Sequence, residues 1–152
     1  TLFRSGLLHD IGKVVMEQYL HEDFREAVAL AEEKNISLYE AEQERLGYAH
    51  TDVADWLISG WQLPVELQAP LVYHHTPTKS EQCFDGICVC HYADHICYEA
   101  GLTLSASTTP PPLSEECAGR LNLSEQDIEL VKSSLPQELE KMMVFLDIAS
   151  EK

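Results

Sequence analysis

Basic residues are scarce in this chain: ten Lys and Arg stand against 26 Asp and Glu, a formal charge of −16 over 152 residues. A field of that sign repels phosphate backbones, so no nucleic-acid-binding surface is expected. A small phosphorylated ligand stays compatible where a metal supplies positive charge locally. Long apolar runs are missing too. No stretch approaches the roughly 18 residues of a membrane span. Arg4, His9, Asp10 and Lys13 also interrupt the opening residues, against the apolar core of a signal peptide. Strand-like alternation is absent, and so are internal repeats. Without a Ser elbow, or a Cys placed beside a His with reason to be activated, nucleophilic catalysis has little support. Five cysteines make an odd count, with no zinc-knuckle spacer in Cys88-x-Cys90. A chain with this much core does not need a disulfide framework. Cys83, Cys88, Cys90, Cys97 and Cys117 are therefore expected as free thiols in a reducing cytoplasm.

What is present suits a soluble globular domain: 45% apolar and 24% charged residues, in a chain long enough for one real core. Its most informative stretch is Gly6-Leu7-Leu8-His9-Asp10-Ile11-Gly12-Lys13. Adjacent His and Asp offer a neutral nitrogen and a carboxylate from one turn of backbone, enough to hold one divalent cation or to bridge two. Leu2, Phe3, Leu7, Ile11 and Val14 are spaced as one helical stripe, with Asp10 on it. A carboxylate aimed at a core is costly unless a metal or a cation meets it. The chain opens directly on this helix with nothing before it to pack underneath, so a fragment of a longer protein is expected.

Helical spacing continues along the chain. Phe24, Val28 and Ala31 predict a helix ending near Asn35. Ser37 to Glu40 reads as a capping box for a helix that stops at Gly47. His50, Val53, Ala54, Leu57, Ile58 and Trp61 share a stripe, which puts His50 on a buried face. Leu63-Pro64 starts the next helix, with Pro at its first position and Pro70 inside it as a kink. Leu67, Leu71 and His74 share a face there. Adjacent His74 and His75 point about 100° apart on a helix, which argues against one shared metal. Ile87, Cys90, His91, Asp94 and Tyr98 mark a further helix, on which His91 and Asp94 are a candidate ligand pair. Gly101 to Leu113, with three consecutive prolines, reads as an extended connector. Two helices follow, one capped at Ser124 and one starting near Pro136 with the stripe Leu139, Met142, Met143 and Leu146. The fold class is all-α, with seven to nine helices. The expected division is a helical core over residues 1–104, followed by a connector and C-terminal helices packed on it over 105–152.

His9, Asp10, His50, His74, His75 and Asp94 thus come from four helices, and most lie on buried stripes. Each would need its own partner in a purely structural core, whereas a shared metal centre satisfies all of them together. A hydrogen-bonded polar core without metal is the alternative. The ordered motifs Gly6 to Lys13, Glu44-x-Leu46-Gly47-x-x-His50-x-x-Val53-Ala54, Trp61-x-Leu63-Pro64, His74-His75 and Ala93-Asp94 resemble the HD superfamily. Within it they are most similar to the HDOD family, the HD-related output domain of bacterial signalling proteins. The resemblance covers about residues 1 to 100. It implies an HD-type helical bundle in a cytoplasmic bacterial regulator, with a signalling protein or a linked sensory or receiver domain as partner. HDOD members generally lack demonstrated catalysis, which favours an interaction role. The HD pattern also carries a His on a helix upstream of His-Asp, which this sequence does not contain. After His75 come Thr76-Pro77-Thr78-Lys79, with no acidic residue and no Gly-Tyr-Pro, against hydrolysis of cyclic dinucleotides.

Two functions follow as expectations. The first is a signalling output domain that binds a divalent metal (Fe, Mn, Zn, Ni or Mg). The second is a metal-dependent phosphohydrolase. In it Asp10 bridges two cations, His9, His50, His74, His75 and Asp94 are terminal ligands, and Lys13 meets a substrate phosphate.

Overall fold

A computed structural model describes residues 2–102 and 109–150, with the side chains of 142 and 144–150 outside the description. The described residues form nine α-helices and one 3-10 turn, with no strand. In chain order these are α1 (Leu2–Leu8), α2 (Ile11–Tyr19), α3 (His21–Lys34), α4 (Leu38–Leu46), α5 (His50–Ile58), α6 (Val65–Tyr73), a 3-10 turn at Pro77–Lys79, α7 (Phe84–Glu99), α8 (Glu115–Leu121) and α9 (Glu125–Ser150). The all-α expectation holds. The chain divides into two units, Thr1–Leu121 and Asn122–Lys152.

In the first unit α3 and α4 pair as a hairpin, α2 packs on α5, and α5, α6, α7 and α8 follow as successive neighbours. α1 lies against α6 and α7. The α3–α4 pair meets through Ala27, Ala31, Leu38 and Ala41, roofed by Phe24, Val28 and Leu46. Small side chains let the two backbones approach closely. Met16, Ile58, Leu71 and Ile87 fill the centre of the unit, almost fully buried. Each of these large side chains gains about 1.5–3 kcal/mol by leaving water.

The turns follow local chemistry. Ser37 caps α4 by a full capping box, its hydroxyl accepting from the Glu40 N–H while the Glu40 carboxylate accepts from the Ser37 N–H. Asn35 and Gly47 end α3 and α4 in left-handed conformation, φ 52° and 78°. α6 begins at Val65, one residue after Pro64. Pro70 cannot donate to the Glu66 carbonyl four residues earlier. The Ser5 hydroxyl of α1 donates to that carbonyl instead, at 3.4 Å. A defect in one helix thereby becomes a contact between two.

Three expectations need correction. Leu2, Phe3, Leu7 and Val14 do not form a buried stripe: they are 53%, 84%, 74% and 58% exposed. The helix breaks at His9-Asp10, so residues on either side of the break do not share one face, and α1 buries Ser5 instead. Trp61 lies beyond the end of α5 and is also exposed, because a turn follows Ile58. Ser124 and Pro136 belong to one helix, α9, rather than starting two. Ser124 does cap it, exchanging hydrogen bonds with Asp127. Of the stripe proposed there, Met142 and Leu146 lie outside the described side chains, and Met143 is exposed. Residues 103–108 of the proposed connector also lie outside the described residues. Among the described residues no helix is long and apolar enough to cross a membrane.

Candidate metal centre

The break between α1 and α2 is what builds the site. Two turn residues, His9 and Asp10, stand between the helices, and Asp10 occupies the position before the first turn of α2. Its carboxylate faces two ways. Oδ1 lies 3.4 Å from His50 Nε2 and 3.9 Å from His74 Nε2. Oδ2 lies 3.4 Å from His9 Nε2 and 2.7 Å from the Lys13 ammonium. His9 Nε2 in turn is 3.7 Å from Asp94 Oδ1 of α7. On the first side His75 Nε2 sits 3.1 Å from His50 Nε2. The six residues therefore form two groups that share Asp10: Asp10, His50, His74 and His75, and His9, Asp10 and Asp94. Within each group one ligand atom per residue lies within 4.8 Å of all the others.

The hydrogen bonds fix which nitrogen each ring presents. His9 Nδ1 is 2.8 Å from the Gly6 carbonyl, and His74 Nδ1 is 2.9 Å from the Pro70 carbonyl. His50 Nδ1 is 2.6 Å from the Glu42 carboxylate. Carbonyl and carboxylate oxygens only accept, so each Nδ1 carries the proton and each neutral ring has a bare Nε2. All three bare nitrogens turn toward Asp10. His9 Nε2, Asp10 Oδ1, His74 Nε2 and His75 Nδ1 are buried without a hydrogen-bond partner. Buried polar atoms are normally paired, and three acceptor-competent atoms, His9 Nε2, Asp10 Oδ1 and His74 Nε2, converging on one place match what a cation requires. Two ligand atoms held about 2.0–2.2 Å from one ion at ordinary angles are separated by roughly 2.8–3.6 Å. The 3.1 Å and 3.4 Å separations fall inside that range and the 3.7 Å and 3.9 Å ones lie just outside. The donor set fits a divalent metal.

The electrostatics agree. Burial alone would push the Asp10 carboxyl up, but Lys13 above all, then His50 and His9, hold it well below the usual carboxylate range. Burial drives His74 down to about 3, with His9 and His50 adding to it, and drives His75 far down as well. His9 goes the other way: burial lowers it, and the neighbouring carboxylates of Asp94 and Asp10 more than compensate. Neutral His74 and His75 beside a charged Asp10 are in the state that metal ligation needs.

These directions set the acid response of the metal-free protein. His74 and His75, depressed in the fold, leave the unfolded chain to take up protons below its ordinary His range, so stability falls as pH drops through about 6.5. Asp10 adds a loss at lower pH, when its unfolded carboxyl begins to protonate. His9, raised in the fold, contributes stability on acidification and offsets one of the two histidines. The net expectation is a thermal midpoint that declines from pH 7 to pH 5. Differential scanning calorimetry on chelator-treated protein checks it, and a midpoint that rose over that interval would contradict the assignment of neutral His74 and His75.

His74, His75 and His91 stand differently from what their spacing suggested. His74 and His75 were expected to diverge by a helical step, yet both offer atoms to one group, because α6 ends at Tyr73 and His75 lies in the following turn. His91 does not pair with Asp94. Its Nδ1 donates to the His74 carbonyl at 2.6 Å and its Nε2 accepts the Ser114 N–H at 3.0 Å. Both ring nitrogens are used, so His91 clamps the backbone of His74 to the segment before α8. Lys13 is already engaged within the protein. Its ammonium is paired with Asp10, and burial is outweighed by that charge, so its pKa rises.

Glu42 escaped the sequence reading. It is fully buried, and its Oε2 accepts from both the ring Nδ1 and the backbone N–H of His50, at 2.6 Å and 3.0 Å. It orients the His50 ring and enriches its Nε2 lone pair. Removing it in Glu42→Leu should weaken metal binding about 10–100-fold, the usual cost of losing such a support. Competition against a metal-indicator dye measures this, and unchanged affinity in a folded variant would rule the role out.

All five cysteines are free thiols, as expected. Burial raises Cys88 and Cys90 to about 12, so neither presents a thiolate. The HDOD domain family matches residues 1–77, about half of the chain, including His9, Asp10, His50, His74 and His75. No curated protein and no solved structure matches it.

Proposed function

Because this chain belongs to the HDOD domain family, we propose that it is a metal-binding regulatory domain of bacterial signal transduction. It would work in the cytoplasm and act on a protein partner or a linked sensory or receiver domain. The observation that carries the metal-binding part is the convergence of the unpartnered buried nitrogens of His9 and His74 on the Asp10 carboxylate, whose Oδ1 is itself unpartnered. Four imidazoles with two carboxylates suit Fe, Mn, Zn or Ni better than Mg, which favours an all-oxygen shell. The regulatory part rests on the family and on an acidic composition unsuited to nucleic acid.

One observation favours a second reading, a metal-dependent phosphohydrolase: the two oxygens of Asp10 face separate ligand groups. Divalent cations held there would activate a water and neutralise a phosphoester. His50, His74 and His75 would serve one side of Asp10, and His9 with Asp94 the other. Lys13, the one ammonium against Asp10, would orient an anionic group at the same edge.

Elemental analysis of the purified protein, run beside a panel of phosphoester substrates with and without added metal, separates the readings. Stoichiometric transition metal without turnover supports the regulatory domain. Metal-stimulated hydrolysis promotes the enzyme. Protein that holds no metal after reconstitution sinks both.

A further inference from the structure

Away from the metal centre, a second cleft of about 270 Å³ opens between α4, α5, the end of α6 and the segment that follows it. Four aromatic rings line it: Tyr39, Tyr48, Trp56 and Tyr73. Tyr48 and Trp56 are an angled pair, ring centroids 5.6 Å apart at 49°. Trp56 is 61% exposed, although it lies on a helix whose other face is core. A large indole left in water at the mouth of a concave site is a surface ready to stack on another ring. Lys79 stands in the same lining. In a chain with so many carboxylates, Lys79 and Arg4 are the two Lys or Arg residues of Thr1–Leu121 that make no ion pair among the described residues. The acidic residue of the lining does not compete for it. Asp52 Oδ2 accepts from the Ala49 N–H at 2.7 Å and from the Gln43 amide at 3.1 Å, closing the start of α5.

We infer that this cleft binds a small aromatic anion, a planar ring carrying a phosphate or carboxylate. The ring stacks on Trp56 and Tyr48, and the anionic group meets the free ammonium of Lys79. The volume lies just under the roughly 300–1,000 Å³ of drug-sized sites, which fits one ring system with its anion and excludes a dinucleotide. One lining ring, Tyr39, also meets His75 and His50 of the first ligand group, ring centroids 4.8 Å and 6.2 Å away. An occupant is therefore separated from the first ligand group by a single ring. The inference itself does not depend on a metal being held there.

The test uses the protein as purified, in a Trp61→Phe background so that quenching of Trp56 fluorescence reports the site. The probes are adenosine monophosphate, phenyl phosphate and indole-3-acetate, with adenosine and inorganic phosphate as half-ligands. Saturable binding is expected for at least one aromatic anion, with each half-ligand about tenfold weaker or more. By calorimetry, Lys79→Glu and Trp56→Ala should each weaken it by a similar factor; both side chains are exposed, so both variants should fold. Preference for the nucleotide over the other two aromatics would identify a nucleotide site, and equal binding a general aromatic-anion site. Absence of saturable binding at millimolar probe overturns the inference. So does phosphate binding as tightly as the aromatic anions, or binding that survives both substitutions, as contact with the metal centre would.

Discussion

Gly12→Ala should destabilise the fold by about 3 kcal/mol or more, at the upper end of what overpacking costs. Gly12 lies in α2, fully helical, so alanine there would ordinarily gain about 1 kcal/mol of helix propensity. Sterics reverse the sign. A Cβ on Gly12 would stand 1.9 Å from the His50 carbonyl oxygen, 2.7 Å from its carbon and 3.1 Å from its Cα. All three are backbone atoms at the start of α5, and no rotamer relieves the clash. α2 and α5 would have to separate by more than an ångström, opening a gap along their packed interface. His50 would move with α5, so metal affinity should fall in the same variant. Gly6→Ala is the control, because nothing lies within 4 Å of its would-be Cβ. Urea denaturation of both variants decides the matter. A Gly12→Ala protein as stable as Gly6→Ala would mean that α2 and α5 do not meet at this distance.

That Gly lies inside the motif that first drew attention to the chain, yet its reason was hidden from the sequence. A motif shows that small size recurs at a position, not which backbone passes over it. The helices were legible because their signals are local. Ser37 with Glu40, Gly47 and the spacing from His50 to Ile58 need no tertiary information. Most of the candidate ligands were legible for the same reason, since a His or Asp on an apolar stripe violates its local pattern. What stayed hidden depends on packing. Glu42 sits in a polar run, Glu42 to Arg45, and reads as solvated until α5 closes over it. Leu2, Phe3 and Leu7 satisfy helical spacing but stay more than half exposed. His91 looked like a ligand because its periodicity is right, and only the approach of Ser114 shows both nitrogens to be spoken for. Pro136 has the local signature of a helix start, and α9 runs through it all the same.

Asp10→Ala should abolish metal binding on both sides of the centre at once, because Asp10 is the one residue common to the two ligand groups. Loss of His9 or Asp94 touches one group, and loss of His75 only the other. A His9→Ala variant should therefore keep part of the metal that Asp10→Ala loses entirely. The comparison carries a stability term. The Asp10 carboxylate faces His9, His50 and His74 and holds the Lys13 ammonium at 2.7 Å. Removing it leaves that ammonium buried without its anion, a change that typically costs 3–5 kcal/mol. Asp10→Asn is the milder form: it keeps the volume and one carbonyl acceptor for Lys13 while removing the charge that a bridging ligand needs. Asp10→Asn should fold, as judged by circular dichroism, and bind no metal by elemental analysis. Under the regulatory reading it would retain contacts with a partner on the outer helix faces, since Asp10 does not reach them. Under the phosphohydrolase reading every metal-stimulated turnover would vanish with it, because the water-activating and phosphate-neutralising cations share this carboxylate. A folded Asp10→Asn protein carrying wild-type metal would remove Asp10 from the centre, and with it the idea that one carboxylate joins two ligand groups.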